Sequence, residues 1–111
     1  MMNSCNFVGN LANEPLFFEG DIPRVVFKLA IDHNGKPSDG KKRVEFLDFV
    51  AWHQTAEFIH KYCHKGDMLS VQNAMAKGRS IVTKDGTEYT KTEFQVDAVE
   101  LCKRARSNWV D

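Results

Sequence analysis

A small β-barrel carrying one helix is predicted by three observations. The chain has 111 residues with balanced charge, short segments in which apolar and polar residues alternate, and one stretch where that period changes to helical spacing. The length allows one domain and one core. Fifteen basic and fifteen acidic residues cancel, so attraction to a polyanion must come from local clusters. Cys5, Cys63 and Cys102 make a poor disulfide framework and point to a reducing, cytoplasmic compartment. No apolar run approaches the roughly 18 residues that span a bilayer, and no basic-then-apolar leader opens the chain. Neither membrane insertion nor secretion is expected.

The elements follow in order. An opening strand is read in NSCNFVGNLAN. In RVVFKLAID, residues Val25, Phe27, Leu29 and Ile31 share one face, with Arg24, Val26, Lys28 and Ala30 on the other. The following HNGKPSDGKKR joins Asn-Gly, Asp-Gly and a proline to the basic run Lys41, Lys42, Arg43, which predicts an exposed loop. In VEFLDFVAW the better core face is Glu45, Leu47, Phe49 and Ala51, leaving Val44, Phe46, Asp48, Val50 and Trp52 on a wetter face. The period then changes in QTAEFIHKYCHKG: Ala56, Ile59 and Cys63 form a helical stripe widened by Phe58 and Tyr62. Gly66 is expected as the left-handed C′ stop, with His60, Lys61, His64 and Lys65 near the negative end of the helix dipole. Alternation resumes through MLSVQNAMAKG, breaks at TKDGTE, where Asp85-Gly86 signals a hairpin, and resumes through YTKTEFQVDAVEL. Five strands with one helix between the third and fourth is the order of the OB-fold, a partly open barrel whose strands often bind oligonucleotides.

Four segments, NFVGNLANEP, VVFKLAID, EFLDFVAWHQTAEFIHKYCHKGDML and YTKTEFQVDAVEL, resemble bacterial and phage single-stranded DNA-binding proteins (SSBs) in order and spacing. The most specific part is the V-A-W strand end followed by an A-E helix start and a K-G stop. The resemblance divides the chain into an OB-fold domain over residues 1–102 and a short basic tail over 103–111. It implies self-association, as a tetramer in preference to a dimer, and binding of single strands without sequence preference. It also implies that Phe46 and Trp52 stack on bases. An aromatic ring accepts any base at about 1–3 kcal/mol while cations track the phosphates. The candidates for the second role are Lys28, the cluster Lys41, Lys42 and Arg43, and Lys77, Arg79 and Lys84. Tyr89 and Phe94 are secondary stacking candidates.

The departures from the family pattern are specific. Further aromatics expected after the second strand and near the last hairpin are absent, with Ile81 at the second place. Asp48 lies between the two proposed rings, where a carboxylate repels phosphate, and Asn73-Ala74 replaces a Gly-Arg-like pair. The chain stops at KRARSNWVD rather than in a Gly/Gln/Pro-rich linker with an acidic tip. Partner recruitment through such a tip is therefore not expected, and a short variant from a phage, plasmid or other mobile element, or a specialised paralogue, is suggested. For Trp109, a frayed terminus is the simplest reading.

Other chemistry has little support. His60, Cys63 and His64 fall on adjacent helix faces, but structural zinc needs four ligands and helix C-termini attract histidine for dipole reasons alone. Asp32, Asp48 and Asp97 have no spacing that demands a metal, and no phosphate loop or nucleophile elbow occurs. The expected function is non-enzymatic and cofactor-free: binding and protection of single-stranded DNA during replication, recombination or repair. The alternative is an SSB-like adaptor with weak DNA binding in a replication-restart, conjugation or regulatory assembly, partnering a host SSB or replication proteins.

Overall fold

The computed structural model describes residues 2–32 and 43–109. Strands β1 (Cys5–Leu11), β2 (Leu16–Phe18), β3 (Arg24–Asp32) and β4 (Val44–Trp52) lead into helix α1 (His53–Tyr62). Strands β5 (Met68–Val82), β6 (Glu88–Gln95) and β7 (Ala98–Lys103) and a 3-10 turn (Arg106–Asn108) follow. Antiparallel pairing runs β4–β3–β1–β5–β6, and a short parallel contact of β6 with β4, Phe49↔Phe94 and Val50↔Gln95, closes the ring. This is the OB-fold barrel, with α1 packed against β2, β3 and β4.

Alternation places the core as expected. Val25, Phe27 and Leu29 of β3 and Phe49 and Ala51 of β4 are buried, and Ala56, Ile59 and Cys63 bring α1 onto the same cluster. Phe49 is its aromatic hub, stacked on Phe27 at 5.3 Å and meeting Phe7 edge-on at 5.4 Å and Phe94 at 5.5 Å.

Among the described residues, seven strands are found where five are expected. The added β2 is three residues long and lies on β3. The predicted last strand is interrupted at Val96 and Asp97 and becomes β6 and β7. Its register against β5 nevertheless carries across the gap, from Met75↔Gln95 to Gln72↔Ala98. The gap faces Asn73, whose φ is 55°, a left-handed conformation that Asn tolerates better than most residues. Asn73 donates its N–H to Asn6 Oδ1 at 2.9 Å and its amide to Asp97 at 3.3 Å.

Two end-of-helix expectations change. The helix stops at Tyr62 with Cys63 extended, and Gly66, at φ 94°, serves the following turn rather than the C′ position. There the Gly66 N–H bonds Leu11 O at 2.8 Å, tying the turn to β1. The C-terminal segment is not frayed over its described residues. Asp67, fully buried, accepts hydrogen bonds from Ala105 N–H at 2.7 Å, Asn108 Nδ2 at 2.9 Å and His64 N–H at 2.9 Å. Among the described residues, no helix is long and apolar enough to cross a membrane.

Candidate nucleic-acid interface

Cross-strand register turns the outward alternation of β2, β3 and β4 into rungs. Phe18, Arg24 and Trp52 form one, Leu16, Val26 and Val50 the next, then Lys28 with Asp48, and Ala30 with Phe46. Phe46 is 58% exposed at one end of this wall. Trp52, half-buried, lies at the other end, six residues or about 20 Å along the strand. Arg24 sits over the Phe18 ring at 4.5 Å, a cation–π contact that presents a further ring and cation beside Trp52. Val50 departs from the expected wet face. It is 2% exposed, flanked within the sheet by Val26 and Gln95.

Strands β5 and β6 continue past the barrel as a hairpin arm, turned by Thr83 to Thr87 around Gly86 at φ 86°. Pairing places Lys77 opposite Glu93, Arg79 opposite Lys91 and Ile81 opposite Tyr89. Side-chain alternation puts these six on one face of the arm. The other face holds the Gly78–Thr92, Ser80–Thr90 and Val82–Glu88 pairs and carries no cation. The basic face adjoins the wall in a groove of about 290 Å³ lined by Lys28, Asp48, Arg79, Lys91 and Glu93.

Asp48 sits in this groove, but its charge is answered locally. Lys91 Nζ lies 2.9 Å from one carboxylate oxygen and Lys28 Nζ 3.7 Å from the other. The hydrogen bond and charge of Asp48 raise the Lys91 pKa, so that ammonium is held protonated. Asp48, expected to repel phosphate, is thus flanked by two cations in the groove. Arg79 approaches Glu93 at 3.9 Å.

The structure brings together Phe46, Trp52, Lys28, Lys77 and Arg79 on one continuous outer surface. Lys84 is at the tip of the arm and Arg43 is exposed just before β4, while Lys41 and Lys42 lie outside the described residues. Phe94 is corrected: it packs on Phe7 at 4.8 Å and on Phe49, inside the barrel. Tyr89 is 48% exposed on the basic face, opposite Ile81, so the ring absent at one position is present across the rung. Sequence reading missed Lys91 and Arg24. Strand parity from Tyr89 identifies Lys91, and parity already puts Arg24 on the face of Lys28; its contact with Phe18 needed the β2 pairing, which no sequence period announced.

The helix-end cluster diverges. His60 stacks on Phe17 at 4.1 Å, His64 Nδ1 meets Glu14 at 2.8 Å, and Cys63 is buried. Burial pushes the Cys63 thiol up to about 11. Among the described residues no group of three or more candidate ligands is placed to hold a metal ion.

The sequence profile described as "Single-strand binding protein family" matches residues 2–102. The chain belongs to this family. Among its relatives, a single-stranded DNA-binding protein of Malacoplasma penetrans is 30% identical over 109 residues, covering 96% of this chain and 55% of the relative. One from Staphylococcus aureus is 24% identical, with 97% of this chain and 70% of the relative covered. Single-stranded DNA-binding protein 1 of Streptococcus pyogenes is 23% identical, with 94% and 81% covered. The chain thus spans about half the length of the first relative and more of the other two.

Proposed function

We propose that this protein binds single-stranded DNA without reading its sequence, stacking bases on Phe46 and Trp52 and guiding phosphates along Lys28, Lys91 and Arg79. The observation that carries this reading is the outward row on β4, where an exposed ring stands beside a cation-lined groove on a wall whose reverse face is core. Rings accept any base, and the grip they provide is independent of net charge. Family membership and the names of the relatives support the same ligand. The role is binding and protection of exposed strands during replication, recombination or repair, without catalysis. A cytoplasmic setting suits the three unpaired thiols of Cys5, Cys63 and Cys102.

Titration of oligothymidine, read by tryptophan emission, tests this proposal. Binding should be lost stepwise in Phe46→Ala and Trp52→Ala. Unchanged binding in the double variant removes the mechanism. The salt dependence should be shallow, because each phosphate contact contributes only about 0.7 to the logarithmic slope for single strands and the groove cations Lys28, Lys91 and Arg79 are each paired with a carboxylate.

Self-association through β1 belongs to the same proposal. Pairing with β3 is confined to Asn10 and Leu11, so upstream β1 presents a second backbone edge to solvent among the described residues, beside Val8 at 55% exposure. Such an edge can pair with a copy of itself. Light scattering should report a dimer or tetramer, and a monomer at working concentration removes this part. The adaptor alternative is favoured by one observation, the carboxylate of Asp48 in the groove. Capture of an SSB or helicase, with no DNA bound at low salt, would select it.

A further inference from the structure

A second concave surface lies around the C-terminal turn, where the residues from Lys103 onward lie past the family-profile match, which ends at 102. It encloses about 440 Å³ between Asn10, Gly66 and Met68 on one side and Lys103, Arg104, Arg106 and Trp109 on the other. Trp109 is 60% exposed, and its indole N–H donates to Arg104 O at 3.2 Å. That bond fixes the orientation of the ring while most of its surface remains open. Arg106 stands 5.9 Å from the ring centroid. The Asp67 anchor holds the whole turn against the barrel through Ala105 and Asn108.

The surface is not isolated from the wall. One row of Cα partners crosses the barrel from Phe46 on β4 to Ala30 on β3, Asn10 on β1, Met68 on β5 and Lys103 on β7. Each intermediate residue alternates with a buried neighbour, Leu29, Leu11 and Leu69, so the row faces outward. Four strand-to-strand steps make it about 19 Å long. A ring and cations therefore stand at its far end, while an exposed ring marks its beginning.

We infer that a single strand of nucleic acid stacked on Phe46 continues across Ala30, Asn10 and Met68 to the C-terminal turn, where Trp109 stacks a further base and Lys103 and Arg106 take its phosphates. This rests on the single-strand reading above and extends it to residues outside the profile match. An acidic peptide shares the charge preference, but the row leading back to Phe46 and the oriented ring favour a strand of stacked bases.

The test uses the full chain carrying Trp52→Phe, so that Trp109 is the only emitting indole, with oligothymidines of about 6 and about 16 nucleotides, within the range of sites per OB-fold. Emission should be quenched by the longer oligomer and unmoved by the shorter. In the parent protein, Trp109→Ala should weaken the longer oligomer about fivefold or more and the shorter less than about twofold. Lys103→Gln with Arg106→Gln leaves the ring in place and should flatten the salt dependence for the longer oligomer only; circular dichroism checks the fold of each variant. Binding of both lengths with Trp109 emission unmoved overturns this extension alone. No binding of either length by the parent at low salt overturns the single-strand reading and this inference with it. Quenching by an Asp/Glu-rich peptide but not by the longer oligomer assigns the surface to a protein and overturns the strand path.

Discussion

The β3–β4 wall and the C-terminal turn each present an exposed ring beside cations, Phe46 at 58% and Trp109 at 60% exposure, yet they are held by different physics. Behind the wall lies Phe49, 1% exposed and in contact with three other phenylalanine rings. Apolar packing does not titrate, so that platform should be indifferent to acid. Behind the turn lies one buried carboxylate, Asp67, with its three hydrogen bonds. A short segment without a core of its own is positioned there by polar groups, and it inherits their dependence on protonation.

The largest effect that would break the comparison is on the reverse of the wall. Phe49→Ala should destabilise the protein by about 3–5 kcal/mol, the range for deleting a buried phenylalanine, measured by denaturant unfolding. A loss below about 1 kcal/mol would mean that the wall does not depend on this packing. Three residues away on the same strand, Phe46→Ala should leave unfolding within about 0.5 kcal/mol of the parent. Its expected cost of about 1–3 kcal/mol falls on oligothymidine binding instead. A Phe46 variant that unfolds readily and binds normally would invert the assignment of the two faces.

Acid should separate the two regions further. Burial pushes the Asp67 carboxyl up, but the Asn108 amide, the Ala105 and His64 N–H groups and the Arg104 charge together hold it below its ordinary value. A carboxyl lowered in the folded state contributes stability that is present above the unfolded value, about 3.9, and is lost as pH falls through the folded value. The protection factors of the Ala105 and Asn108 amides should therefore fall below about pH 4, while those of the β3–β4 amides hold. Glu14, lowered by the Lys65 N–H and by His64, titrates in the same window, so the assignment needs Asp67→Asn. That variant should cost about 1–2 kcal/mol in local stability of the turn and abolish its acid response. A turn that still loosens at the same pH in Asp67→Asn would assign the anchor elsewhere.

The wall was far more legible in the sequence than the turn, for a physical reason. Inward and outward sets on β3 and β4 follow from a period of two, which is local information, and Phe46 and Phe49 were separated by parity alone. The same rule, applied to Tyr89 and Phe94, places them on opposite faces and leaves only Tyr89 outside. Closure of the barrel by the β4–β6 contact and the pairing of Asp67 with Ala105 join residues far apart in the chain, with no periodic trace, whereas β2 pairs locally with β3 but at three residues is too short to show a period. Trp109 therefore read as part of a frayed end, and Asp67 carried no signal that singled it out.

The smallest effect sharpens the comparison within the groove itself. Asp48 holds Lys91 and Lys28 at 2.9 and 3.7 Å, and all three are partly open to solvent, so the stability contribution of the pairs is at most about 1 kcal/mol. Their effect on a bound strand is larger in kind than in size, because a phosphate approaching either lysine must compete with the carboxylate. Asp48→Asn removes that competition and adds one positive charge to the groove. Oligothymidine affinity should rise by less than about 1 kcal/mol, and the logarithmic salt slope should steepen by up to about 0.7 for each lysine released to a phosphate. A fall in affinity with an unchanged slope would show instead that Asp48 acts by positioning the lysines, and that the carboxylate belongs to the grip on the strand.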